Sequence, residues 1–249
     1  MILLRSALFN LYFFGLTAIL CIVGTAVRIA SPQRTLLIPT VWARWIVAGL
    51  RIICGIKLEI IGKNRLPLSG PALLASQHQS AFDTIVWLTL LPRCCYVVKR
   101  ELTLIPLFGG MMRPAGMIVI DRKAGAAAIR HLMHEADRAK REARQVVIFP
   151  EGTRSDPDRL LPLQPGIAAM ATRTRLPVIP VLTDSGRCWG RRSFRKRPGV
   201  IHIALLPPIQ PGVGREGLMA GLTAAYHQKI PLTAVDNSVD RPQLGLAGE

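Results

Sequence analysis

Acidic residues are scarce in this sequence: 15 Asp and Glu stand against 32 Lys and Arg, a formal net charge of +17. Such a surface favours anionic partners, whether nucleic acid, anionic lipid, phosphorylated substrates or an acidic carrier protein. The motifs of nucleic-acid-binding domains are missing, which removes the first of these. The five cysteines, Cys21, Cys54, Cys94, Cys95 and Cys188, are odd in number and lack metal-ligand spacing. They are expected to be reduced thiols in a cytoplasmic folded part, with no metal bound. A Gly-x-Ser-x-Gly elbow is absent, which counts against a serine lipase, and no internal repeat is present.

Half of the residues are hydrophobic, on the high side for a soluble chain. Much of the excess is N-terminal. Ser6 to Val27 carries no charge and exceeds the roughly 20 residues needed to cross a hydrocarbon core. It is also longer than the apolar region of about 7 to 15 residues in a cleaved signal peptide, so it is expected to be retained. Arg28, Arg34, Arg44 and Arg51 follow it and only Arg5 precedes it, which puts its C-terminal side in the cytoplasm. From Thr40 to Ile56, Arg44 and Arg51 share one helical face while Trp42, Trp45, Ile46, Ile52 and Ile53 supply apolar area. That pattern suits a helix at a membrane surface, or one packed on the domain. A single span and a re-entrant pair with the first segment both remain open.

From Lys57 the pattern changes to short β-rich runs alternating with helical ones, the mark of an α/β protein. Strands are expected at Lys57–Ile61, Ala72–Ser76, Cys94–Val98, Met117–Ile120, Val146–Phe149, Val178–Leu182 and Ile201–Leu205. The spacing predicts a long helix from Ala124 to about Arg144, with Ala128, Leu132, Met133, Ala136 and Ala139 as its apolar stripe and His131 and His134 solvated. The expected fold is a mixed, largely parallel sheet flanked by helices. Residues 1–56 form N-terminal membrane-embedded helices, residues 57–231 the α/β domain, and residues 232–249 a disordered tail.

His78 falls just after the second strand, Lys99 after the third, Arg122 after the fourth, and Glu151 and Arg154 after the fifth. Ligands of open α/β sheets bind beyond the carboxyl ends of the strands, so parallel neighbours would gather a base, a carboxylate and three cations in one crevice. Within Gln77-His78-Gln79-Ser80-Ala81-Phe82-Asp83-Thr84, a carboxylate in the first turn of a helix points back toward a histidine ahead of it. Asp83 then fixes the tautomer of His78, whose residue type has an ordinary pKa of about 6.5 and suits a general base. The competing reading is a capping box with Ser80 at the N-cap, which leaves His78 an ordinary loop residue. Gly186 to Gly199 holds Arg187, Arg191, Arg192, Arg195, Lys196 and Arg197 with Trp189 and Phe194 interleaved and no acid. It suits an anionic membrane or an acidic acyl carrier, or is a solvated loop.

The His78-x4-Asp83 stretch, followed in order by Phe149-Pro150-Glu151-Gly152-Thr153-Arg154-Ser155, resembles the glycerolipid acyltransferase family. Lesser matches are Lys99-Arg100-Glu101-Leu102 with Pro106 and Gly109, Gly116 through Arg122, and Leu176 through Val181. Many family members have Asn where this chain has Gln77. The resemblance implies acyl transfer from acyl-CoA or an acyl carrier protein to the free hydroxyl of 1-acylglycerol-3-phosphate, giving phosphatidic acid without metal, cofactor or covalent intermediate. His78 and Asp83 are then catalytic, and Lys99, Arg122, Glu151, Gly152, Thr153 and Arg154 bind substrate, with Arg122 and Arg154 on the phosphate and Glu151 orienting an arginine or a glycerol hydroxyl. The partners are membrane lipids and the acyl donor, and the location is the inner membrane with the domain facing the cytoplasm. Another acceptor, glycerol-3-phosphate or a lysolipid, and a non-catalytic membrane-binding protein of the same fold remain open.

Overall fold

The computed structural model describes residues 1–230, so the expected tail at 232–249 lies outside the described residues. The chain begins with α1 (Ile2–Ala30), turns at Ser31–Leu36, and returns as α2 (Leu37–Gly49), continued by a π-helical stretch to Cys54. Then come β1 (Ile56–Ile61), β2 (Ala72–Ser76), α3 (Asp83–Leu90), β3 (Cys94–Lys99), α4 (Gly109–Met112), β4 (Ile118–Ile120), α5 (Ala126–Arg141) and β5 (Gln145–Ile148). The last elements are α6 (Gly166–Thr174), β6 (Val178–Thr183), α7 (Ser185–Cys188), β7 (Gly199–Leu205) and α8 (Gly214–Tyr226).

The seven strands form one sheet in the order β1-β7-β6-β2-β5-β3-β4. β6, β2, β5, β3 and β4 are parallel neighbours, and β7, antiparallel to β6, reverses direction together with β1. Every residue of β2, β5 and β6 is buried, as expected of strands covered on both faces, whose sequences run apolar rather than alternating. Leu74, Val147 and Val181 face one core, in which α3 and the N-terminal helices pack. Leu73, Val146 and Val178 face the other, closed by α5, α6 and α8. On α5, Leu132, Ala136 and Ala139 are buried, while Met133 is half-buried and His131 and His134 are exposed.

α1 and α2 form an antiparallel hairpin: the Tyr12 hydroxyl donates to the Trp45 carbonyl at 2.9 Å, and Trp42 Nε1 donates to Thr17 Oγ1 at 3.0 Å. α1 and the whole helical stretch Pro32–Cys54, of which α2 is the middle, are each long and apolar enough to cross a membrane. α1 nevertheless touches the domain near both its ends. Ser6 Oγ accepts from the Lys196 N–H at 2.9 Å, and Gly24 and Arg28 lie against Met111 and Gly110 of α4. At 1.5 Å per residue these points are about 30 Å apart, so α1 lies along the domain instead of projecting from it. Phe9 and Ile46, both fully buried, knit the hairpin into the core, each contributing about 1.5–3 kcal/mol. Its outer face leaves Leu4, Leu8, Leu11, Phe14, Ile19, Ile22 and Trp45 exposed. Of the second segment, one face packs on α3, as the reading of a helix packed on the domain expects, and the other leaves Trp45 and Ile52 exposed.

Candidate active site

The turn after β2 is tied down on every side. Asp83 opens α3, and its Oδ2 accepts from the Gln79 N–H at 2.7 Å and the Ser80 N–H at 2.8 Å, and lies 3.2 Å from His78 Nδ1. Carboxylate capping and imidazole orientation, rival readings in the sequence, are performed by one oxygen. The regular helix begins at Asp83, yet the capping-box bonds form around Ser80: its hydroxyl accepts from the Phe82 N–H at 3.1 Å, and its own N–H donates to Asp83. Phe149, just after β5, stacks on the His78 ring at a centroid separation of 4.1 Å and fixes its plane.

Glu151 sits behind the histidine, 5 % exposed, where its Oε1 accepts from the His78 N–H at 3.1 Å. No arginine of the described residues reaches it; the carboxylate points into the protein and holds this backbone group instead. Burial pushes its carboxyl up to about 7, opposed by the His78 N–H and the Ser155 hydroxyl and reinforced by the Asp83 charge. The Ser155 N–H donates to the His78 carbonyl at 2.8 Å, so the histidine's N–H and carbonyl are both held by the loop after β5.

Gly152 turns that loop at φ +70, a left-handed conformation disfavoured for other residues. The turn aims the Gly152 carbonyl at the Arg122 guanidinium, which donates to it. Burial lowers the pKa of Arg154, offset by the Asp83 carboxylate and reinforced by Arg191, and its Nε is buried with no partner. Among the described residues, Arg122 and Arg154 have no carboxylate within ion-pair distance. Two unneutralised guanidiniums beside an imidazole form an anion-binding arrangement.

A cavity of about 530 Å3 joins these groups, within the size range of small-molecule sites. His78, Lys99, Arg122, Gly152, Thr153 and Arg154 line its polar part, and Thr17, Leu20, Cys21, Ile38, Leu88, Met111, Met112 and Met117 its apolar part. The hairpin therefore builds one wall of the pocket. Of the residues expected from the sequence, six line the cavity, and Asp83 and Glu151 stand directly behind His78.

Residues outside the expected site set also contribute. Gln77 Oε1 accepts from the Thr183 N–H at 3.1 Å, and Gln79 Oε1 from the Gly186 N–H at 3.2 Å, joining the histidine turn to the end of β6 and to α7. Arg191 and Arg192 line the cavity from the α7–β7 loop. Lys196, in the same loop, is buried instead of solvated; its Nζ donates to Asn10 Oδ1 at 2.6 Å and lies 4.9 Å from the Trp189 ring centroid. All five cysteines are free and buried, and no group of three or more metal-ligand side chains occurs among the described residues.

Fold and site define an α/β protein with apolar N-terminal helices, in which an oriented imidazole opens onto a pocket that is apolar on one side and cationic on the other. The family profile described as Acyltransferase matches residues 57–184, and the chain belongs to that family. Over 166 residues it is 31% identical to a 1-acyl-sn-glycerol-3-phosphate acyltransferase of Pseudomonas aeruginosa, covering 67% of this chain and 64% of that protein. Over 168 residues it is 38% identical to the enzyme of that name from Limnanthes alba, covering 66% and 59%. The matched stretch is thus less than two thirds of those relatives' length. The crystal structure of the 1-acyl-sn-glycerophosphate acyltransferase of Thermotoga maritima shares the fold, with a TM-score of 0.73 at 20% identity over 90% of this chain and 94% of that one.

Proposed function

We propose that the protein transfers a fatty acyl group from a thioester donor to the free hydroxyl of 1-acylglycerol-3-phosphate, giving phosphatidic acid. The observation that carries the reading is the His78–Asp83 contact of 3.2 Å at the boundary between an apolar cavity wall and unpaired arginines. Acyl chains suit the apolar wall, and an acceptor phosphate suits the cations. The names of the relatives support the same substrate.

His78 Nδ1 donates to Asp83, which leaves Nε2 as the base. As the acceptor oxygen bonds to the thioester carbon, Nε2 takes its proton, and the Asp83 carboxylate stabilises the resulting imidazolium. The tetrahedral intermediate collapses with cleavage of the carbon–sulfur bond, and the imidazolium returns the proton to the departing sulfur. The substrate hydroxyl occupies the role that serine has in a hydrolase triad. Arg122 and Arg154 hold the acceptor phosphate, Lys99 and Thr153 complete the polar rim, Gly152 shapes the loop, and Glu151 positions His78 through its backbone.

The protein works at a membrane. The bare hairpin face enters the lipid from one side, as a docked pair lying along the domain, and the cationic surface binds anionic headgroups. The free thiols support a domain on the cytoplasmic side of the inner membrane.

The test is mass spectrometry of the lipids formed by purified protein, an acyl thioester and mixed acceptors. Phosphatidic acid is the expected product. Acylation of glycerol-3-phosphate or another lysolipid in its place would reassign the acceptor, and intact lipid binding without product would make the protein non-catalytic.

A further inference from the structure

Arg191 and Arg192 line the cavity from the α7–β7 loop, outside the stretches that hold His78, Arg122 and Arg154. Both are exposed and, among the described residues, neither has a carboxylate within ion-pair distance, whereas their neighbour Arg187 meets Asp158 at 2.8 Å. Arg192 has φ 54, a conformation that residues other than glycine rarely adopt. The loop is fastened to α1: Lys196 donates through its N–H to Ser6 and through Nζ to Asn10, and Trp189 meets Phe9 and Phe13 edge-on, with ring centroids 5.6 and 6.0 Å apart. The two arginines are thus held at the pocket without an anionic partner among the described residues.

We propose that Arg191 and Arg192 bind the phosphate of the acyl donor's pantetheine arm, at a site separate from the acceptor phosphate. This rests on the acyl-transfer reading above. Distance along the two substrates separates the sites. The acceptor's phosphate is joined to the carbon next to the one bearing the reacting hydroxyl, so it stays beside His78 at Arg154, which lies between the fields of Asp83 and Arg191 and so on the His78 side of the two rim arginines. The donor's first phosphate is a full pantetheine length from the thioester. With the acyl chain in the apolar part and the thioester at His78, that phosphate must leave by the rim, where Arg191 and Arg192 are exposed. CoA and an acyl carrier protein share this phosphate.

The experiment measures KM for a long-chain acyl-CoA, for the same acyl group on phosphate-free N-acetylcysteamine, and for the acceptor. The variants are R191Q/R192Q and, as a control for bulk charge, R195Q/R197Q on the same loop but outside the cavity. Rim charges on a phosphate are expected to change KM for acyl-CoA about three- to ten-fold. R191Q/R192Q should show that rise, with the N-acetylcysteamine donor and the acceptor KM nearly unchanged, and salt should raise the native KM toward the variant's. An acyl carrier protein donor in parallel identifies the carrier: a rise with both donors marks the shared phosphate, and one with CoA alone marks its other phosphates.

A rise in acceptor KM instead, an equal loss on the phosphate-free donor, or the same loss in R195Q/R197Q would overturn the proposal. Calorimetric titration with CoA itself separates this site from the reaction. Binding weakened by R191Q/R192Q in a protein that transfers no acyl group supports the site and refutes the reaction. Unweakened CoA binding refutes the site whatever the turnover.

Discussion

Asp83 Oδ2 is shared by three donors, His78 Nδ1 at 3.2 Å and the backbone N–H groups of Gln79 and Ser80 at 2.7 and 2.8 Å, while its Oδ1 is buried with no partner. An asparagine can therefore set its oxygen where Oδ2 was and its amide nitrogen where Oδ1 was, keeping all three hydrogen bonds while losing the charge and leaving the buried amide N–H groups without an acceptor. Asp83→Asn should fold with near-native acceptor KM and lose about 10- to 100-fold in kcat, because the charge matters once the imidazolium forms. Asp83→Ala should also lose roughly 1–3 kcal/mol of stability by leaving the two backbone donors unsatisfied. Equal kcat in native protein and Asp83→Asn would show that the carboxylate only caps.

Glu151 gives a pH signature. Its folded pKa, about 7, lies above the ordinary carboxylate value, so its contribution to stability is complete at low pH and is lost as pH rises from about 4.5 through about 7. The loss is on the order of 3 kcal/mol for a group this buried. Glu151→Gln keeps an acceptor for the His78 N–H and should be less sensitive to pH across that window, and more stable than the native protein at pH 8. Denaturant titrations of both proteins at pH 5 and pH 8 check this; parallel stability changes in the two would refute it.

Arg154 lies in the field of Asp83 and, among the described residues, has no ion-pair partner. If it holds the acceptor phosphate through a planar fork, Arg154→Lys keeps the charge and loses that geometry, lowering kcat/KM on 1-acylglycerol-3-phosphate by about 10- to 100-fold. Monoacylglycerol, without phosphate, should be a poor substrate for the native protein and lose little more in the variant. Equal losses on both acceptors would make Arg154 structural.

On the bare face of the hairpin, Leu11 is 74% exposed, Phe14 67% and Ile22 64%. Replacing all three with Ser removes apolar area from the lipid-facing side without opening the core, and should reduce vesicle binding at least about ten-fold at unchanged folded stability. Deleting residues 1–34 is a different experiment, since it uncovers the core around Ile46 and α3 and should yield insoluble protein. Unchanged vesicle sedimentation of the triple variant would mean that this face does not enter lipid.

The sheet was legible because its strands are short apolar runs set between turns and helices, several of them β-branched, so all seven appear in the sequence within a residue or two of their observed bounds. The gathering of His78, Lys99, Arg122 and Arg154 followed from strand ends, and it holds because β2, β5, β3 and β4 are contiguous and parallel. What stayed hidden depends on contacts distant in sequence. Lys196 among six basic residues resembles a solvated charge until Asn10 and Trp189 enclose it. Phe149 resembles an ordinary strand residue until it meets His78. Gln77 binds the Thr183 N–H, a partner on another strand that no local pattern announces.

The central claim is that His78 is the base for acyl transfer to a phosphate-bearing acceptor. Its most direct test is the rate of phosphatidic acid formation from acyl-CoA and 1-acylglycerol-3-phosphate by native protein and by His78→Ala, each shown to be folded and to bind the acceptor. A positioned general base contributes about 10²- to 10⁴-fold. The account predicts a loss of that size in kcat with acceptor affinity retained; product formed at a near-native rate by His78→Ala would contradict it.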